Sequence, residues 1–187
     1  MKFHSKSIAV AVASLAPLAL VSTPAAAQPV PIDTIDQTDV IERINEETVA
    51  PALSVVTGNQ IGGVDPQGKP TLIATATNGL RFEVNFRACE DGAEGEGRHC
   101  KAVYMISVWD APVDGQAEEL RTAMAAFALN NPAINAGQLG NGAPYVVRYV
   151  IADYGTKQGN LVSEFANFIR SATDFQNTIS GFYPIAE

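Results

Sequence analysis

The chain has 187 residues, with 12 basic and 20 acidic side chains, a net charge of −8 and 47% hydrophobic content. Acidity on this scale repels nucleic acid and anionic lipid surfaces, so neither is expected as a partner. The two cysteines stand eleven positions apart, which is not the close spacing of the usual zinc frameworks.

The first 27 residues have the pattern of a cleavable export signal. Lys2, His4 and Lys6 form a basic start, and Ile8 to Val21 carries no charge. The apolar run is about 14 residues long, short of the roughly 20 that span a bilayer, and Pro17 interrupts it. Ala25 and Ala27 suit a signal peptidase that cuts before Gln28. Cleavage would remove two lysines and leave about 160 residues, enough for one domain. The expected location is the periplasm, with full secretion as the alternative and no stable membrane insertion after cleavage. Residues 28–37 are expected to form a flexible leader, 38–180 a single domain and 181–187 a tail.

Thr38 is expected to cap a first helix that carries Val40, Ile41 and Ile44 on one face and stops before Pro51. Leu53 to Val56 is read as extended and Gly62 to Pro70 as a loop. Thr71 to Thr77 reads as a β-branched strand, and Asn78-Gly79 is a strong two-residue hairpin signal. From Arg81 to Cys89 the residues alternate: Phe82, Val84 and Phe86 on one face, Arg81, Glu83, Asn85 and Arg87 on the other. Period two predicts a strand with one buried and one wet face. Lys101 to Trp109 predicts a further strand, apolar on both faces.

Between these strands lies an acidic, glycine-rich loop with Cys89 and Cys100 at its edges. Hairpin pairing sets the two cysteines opposite each other, at a separation that suits a disulfide. A zinc site would want more ligands at closer spacing, and a redox pair would want C-x-x-C at a helix start. A structural disulfide is therefore expected, with no metal and no cofactor.

A helix from about Gly115 to Leu129 follows, capped by Asp114, with Leu120, Met124, Phe127 and Ala128 forming its buried stripe. Strands are expected at Ala133–Leu139 and Tyr145–Ala152. The last helix, starting at Thr156 or Asn160, buries Leu161, Phe165, Phe168, Ile169, Ala172 and Phe175. The order is α-β-β-β-α-β-β-α. It predicts an α+β fold with an antiparallel sheet of about five strands and helices on one face.

Several stretches carry a family resemblance: "NGLRFEVNFRAC" then "CKAVYMISV", "ELRTAMAAFALNNPAINAGQL", "GAPYVVRYVIAD" and "NLVSEFANFIRSATDFQNTI". In this order they resemble the YbjN-domain family, bacterial proteins labelled as sensory transduction regulators, whose fold is similar to type III secretion chaperones. The chain departs from that pattern at Phe127 and Asn130 in the middle helix, and at Gly140-Asn141-Gly142 in the last hairpin turn. The resemblance implies a regulatory or chaperone-like binding protein without catalytic residues, working on a protein or peptide partner, and it allows a homodimer.

Several sets of residues compete for function. Arg81, Glu83, Asn85 and Arg87 would form a partner surface on the wet sheet face. The pair of amphipathic helices is the second candidate surface, and Tyr104, Trp109, Tyr145 and Tyr149 would line a chaperone-like groove for an extended client. Glu90, Asp91, Glu94 and Glu96 would let the loop plug a basic active site, as an inhibitor of a hydrolase does. Asp110, Asp114, Glu118 and Glu119 are the tightest carboxylate cluster and the only foothold for a carboxylate-dependent hydrolase. A serine triad lacks a suitable histidine base, because only His99 lies beyond the signal segment. The chain is read as non-enzymatic.

Overall fold

A computed structural model describes residues 28–92, 98–112 and 116–183. The signal segment and its cleavage point, Glu94, Glu96, Asp114 and the end of the tail lie outside the described residues.

The segment read as a flexible leader has local order. It holds a 3-10 turn at Ile32–Thr34, and the Val30 N–H donates to the Ser54 carbonyl at 3.0 Å. Thr38 does not cap a helix. Its N–H and hydroxyl both donate to the Asp36 carboxylate, at 2.9 and 2.7 Å, and these bonds hold the Asp36 pKa below its ordinary value. The chain then forms a short strand, β1, at Val40–Ile41.

Helix α1 spans Glu46–Ser54, later than expected, because Asn45 is the better cap. Its side chain accepts from the Thr48 N–H, and the Thr48 hydroxyl accepts from the Asn45 N–H. This reciprocal pair satisfies two donors that the first turn leaves open. The helix runs through Pro51 instead of stopping before it. Proline removes one helical hydrogen bond, and the burial of Val49, Ala52 and Leu53 on the core side offsets that loss.

The remaining elements are β2 (Thr57–Val64), β3 (Pro70–Ala76), β4 (Arg81–Asp91), β5 (Arg98–Val108), α2 (Ala117–Asn130), β6 (Asn135–Gln138), β7 (Pro144–Ile151), β8 (Thr156–Lys157) and α3 (Gln158–Ile179), with a closing 3-10 turn at Ser180–Phe182. The main sheet has six strands in the order β2-β3-β4-β5-β7-β6, all antiparallel, and β1 pairs with β8 in a separate ribbon. The fold is α+β with an antiparallel sheet, as expected.

The sixth strand is β2, where Gly62 and Gly63 read as part of a loop. An edge strand needs only one neighbour, so two glycines are tolerated in it. The loop proper is Asp65–Lys69, closed by the Asp65 N–H on the Lys69 carbonyl at 2.7 Å.

The Asn78-Gly79 hairpin forms, but with a three-residue turn. Ala76 and Leu80 close it, and of its residues only Gly79 has a positive φ, 86°. A two-residue turn of the primed type would put Asn78 in the left-handed region as well. Asn78 is instead held by two bonds, accepting from the Leu80 N–H and donating to the Thr173 hydroxyl on α3.

The core lies between one sheet face and the three helices. Phe82, Val84 and Phe86 of β4 point into it with Leu72, Ala74, Val103, Met105 and Val146. Helix α3 supplies Leu161, Phe165, Phe168, Ala172, Phe175 and Ile179, all fully buried. Phe168 packs on Phe82 with ring centroids 5.4 Å apart, and Phe175 contacts both Trp109 and Phe127 at 5.2 and 5.0 Å. No helix among the described residues is long and apolar enough to cross a membrane.

Cys89 and Cys100 stand directly opposite each other on β4 and β5 and are joined by a disulfide. Just before it Ala88 adopts a left-handed backbone, with φ 51°. The Cys100 N–H also donates to the Ile44 carbonyl at 2.7 Å, so the bridged end of the hairpin is anchored to the segment that precedes α1.

Candidate functional site

Because the three helices pack on one face, the other face of the six-stranded sheet is open among the described residues. Strand register sets its content. One row runs Ile61, Ile73, Glu83, Ile106, Val147 and Asn135 from β2 to β6. The adjacent row runs Gly63, Thr71, Asn85, Tyr104 and Tyr149, and Arg87, Ala102 and Ile151 form the row beyond it. On the other side Arg81 lies beside Thr75, and Tyr145 joins Val108 and Gly137.

This face is more apolar than a solvated sheet face needs to be. Ile61, Val108, Tyr149 and Ile151 are exposed on it, Ile151 to 70%. β7 explains how this arises. Val146 is buried toward the core, while Tyr145, Val147, Tyr149 and Ile151 alternate onto the open side. Arg148, on the helix side, pairs with Glu164 of α3.

The four residues singled out as a partner surface fall together on this face but differ in state. Arg81 and Glu83 are exposed, Arg87 is half-buried and Asn85 is only 2% exposed. Asn85 was expected to be wet. Thr71 and Tyr104 flank it across the strands, and the Arg87 guanidinium lies over the Tyr104 ring at 4.8 Å. Such a cation–π contact is worth roughly 0.5–1 kcal/mol at an exposed site. The Asn85 side-chain amide donates to the Glu83 carboxylate at 3.4 Å.

A groove of about 390 Å³ is bounded by these residues, by Ile73, Ile106 and Val108, and by the loop from Asp65 to Gln67. Asp65 carries no obvious sequence signal of a role here, yet it shapes the groove wall. One carboxylate oxygen accepts from the Gln67 and Lys69 N–H groups at 3.0 and 2.8 Å. The other makes no hydrogen bond and faces Arg87 at 3.7 Å. Arg87 is thus the counter-charge of a buried carboxylate. Arg81 forms no ion pair among the described residues. Burial raises the Tyr104 hydroxyl above its ordinary pKa, and the Arg87 charge acts in the opposite direction.

Of the four aromatic residues assigned to a groove, Tyr104, Tyr145 and Tyr149 lie on the open face. Trp109 does not; it turns to the helix side and packs on Phe175. Tyr145 covers Gly137, where a Cβ would come within 2.7 Å of its hydroxyl oxygen. Gly137→Ala is therefore expected to displace the half-exposed Tyr145 ring from β6 while the fold persists. NMR shifts of the Tyr145 ring protons would check this, with the signals of the buried core unmoved.

The other two candidate sets are arranged differently. Glu90 is bound to Lys101 at 2.6 Å, and that bond and charge hold its pKa below the ordinary value; His99 lies 3.8 Å away. Asp91 is the strand partner of Arg98. In the carboxylate cluster, Glu118 pairs with Arg121 one turn along α2, and the Asp110 carbonyl accepts from the Tyr183 hydroxyl. Among the described residues no group of three or more histidine, cysteine or acidic side chains is placed to hold a metal ion.

No family model matches the chain and no curated protein matches it. Among solved structures it is similar to YbjN from E. coli, a candidate transcription regulator, with a TM-score of 0.45 and 10% identity over 75% of this chain and 91% of that one.

Proposed function

We propose that this chain is a non-enzymatic, exported binding protein of the YbjN kind that engages a protein or peptide partner on its open sheet face, in a regulatory or chaperone-like role. The observation that carries the reading is the open face itself. It combines exposed Ile61, Val108, Tyr149 and Ile151 with a groove edged by the unpaired Arg81. Exposed apolar side chains cost solubility, and apolar residues on β2, β5 and β7 beside the charged residues of β4 have the mixed composition of a contact surface. The export part rests on the signal pattern of the first 27 residues and on the disulfide, which persists in oxidising compartments.

Crosslinking in the source cell, followed by mass spectrometry, tests this. One recurrent partner should be captured by the native protein and lost with Arg81→Glu or Tyr149→Lys. Arg87→Glu is a poorer probe, because it would leave buried Asp65 without its counter-charge. Capture unchanged by both open-face substitutions would overturn the reading.

A further inference from the structure

Strand β2 is an edge without the usual guards. It is eight residues long, from Thr57 to Val64, and contains no charge and no proline in the sequence TGNQIGGV. Its Ile61 and Val64 are 65% and 68% exposed. Natural sheets protect their edges by shortness, charge, proline or bulges, because unpaired N–H and C=O groups template another strand. The other edge, β6, has only four residues. The single irregularity in β2 lies between Thr57 and Asn59, at the end far from the Asp65 loop.

The register identifies the groups that are free. The Asp65 N–H bonds to the Lys69 carbonyl, and in an antiparallel pair hydrogen-bonded positions alternate. Gly63, Ile61 and Asn59 therefore bond to Thr71, Ile73 and Thr75 of β3. Gln60, Gly62 and Val64 turn their backbone N–H and C=O groups outward, and among the described residues no other backbone group meets them.

We infer that β2 is a self-association edge, where a second copy of this chain pairs antiparallel about a two-fold axis at Gly62. In that register Gly62 faces Gly62 of the copy, and Gln60 and Val64 exchange bonds with Val64 and Gln60. Ile61 then lies opposite the copy's Gly63, which has no side chain to oppose it. The arrangement is isologous and closed, as two-fold interfaces are. Charge favours the same occupant. The chain is acidic overall, so like surfaces repel, and β2 is a segment that brings no like charges together. The two sheets become one, and their open faces become continuous.

The test is sedimentation velocity on the purified full chain over a wide concentration range, with a covalent trap beside it. A monomer–dimer equilibrium is expected. Ile61→Lys and Val64→Lys should each abolish the dimer, and Tyr149→Lys, in the middle of the open face, should leave it intact. A Cβ at Gly62 meets nothing within 4 Å, so Gly62→Cys folds. Facing hydrogen-bonded positions lie about 5.5 Å apart, which suits a disulfide. It should therefore give a covalent dimer on a non-reducing gel, and Gly140→Cys, also in open space, should not. A monomer at every concentration with no Gly62→Cys crosslink overturns the inference. So does a dimer broken by Tyr149→Lys and not by Ile61→Lys. The partner reading stands or falls separately, since it depends on capture being lost with Arg81→Glu.

Discussion

Replacing Cys89 and Cys100 together with alanine lowers the unfolding free energy by about 3 kcal/mol and the melting temperature by roughly 10 °C. The bridge spans 11 positions, so most of its effect lies in the unfolded chain, which loses the freedom of that loop. The folded state adds a second reason. Cys100 is 3% exposed and its N–H holds the Ile44 carbonyl. Nearby, Arg98 pairs with Glu46 at 2.9 Å and its carbonyl accepts from the Asn45 amide at 3.3 Å. Loosening the bridged end of β4 and β5 therefore also loosens the start of α1. Thermal unfolding of the double variant measures the whole effect. Hydrogen exchange at the amides of residues 98–101 shows whether this end opens before the sheet centre. A loss below about 1 kcal/mol would mean that the unfolded hairpin already holds its ends together without the bond.

The disulfide was legible because strand alternation and cysteine position are both local facts. The same holds for α3, whose 3.6-residue period marked Leu161, Phe165, Phe168 and Phe175 correctly. What was not legible depended on competition between neighbours. Thr38 and Asn45 are both acceptable caps, and only the Asp36 carboxylate, by taking up Thr38, decides between them. Gly62 and Gly63 are turn residues by local preference, and they become a strand because β3 is available on one side. Pro51 stops a helix in isolation but not one whose next turn buries Ala52 and Leu53. The charged half of the open face was visible in the alternation of β4. Of its apolar half Tyr104, Tyr145 and Tyr149 were picked out, but Trp109 was grouped with them and Ile61, Val108 and Ile151 were missed, because a strand that is apolar on both sides, such as β5 or β7, does not say which side the helices will cover. Asp65 was hidden for a further reason: its relation to Arg87 is 22 positions long and exists only once β2, β3 and β4 have paired.

Phe175→Ala should be the most damaging single change, at about 3–5 kcal/mol. Phe175 is fully buried and sits where α3, α2 and the end of β5 converge, in contact with Phe127 and Trp109. Truncation leaves a cavity that two other aromatic rings border, and neither can fill it without leaving its own element. The chain has one tryptophan, so its fluorescence reads this contact without interference. The emission of Trp109 should shift to the red as water gains access, and the unfolding midpoint seen by fluorescence should fall with the midpoint seen by circular dichroism. A drop in the fluorescence midpoint alone would show that α3 undocks from the sheet as a separate step. The comparison that matters for function is with Tyr149→Lys. Tyr149 is exposed on the opposite side of the sheet and contributes nothing to the buried core. It should leave both midpoints within about 0.5 kcal/mol of the native chain while removing partner capture. Those two results together would assign stability to the helix-covered face and recognition to the open one, since each variant changes a single face.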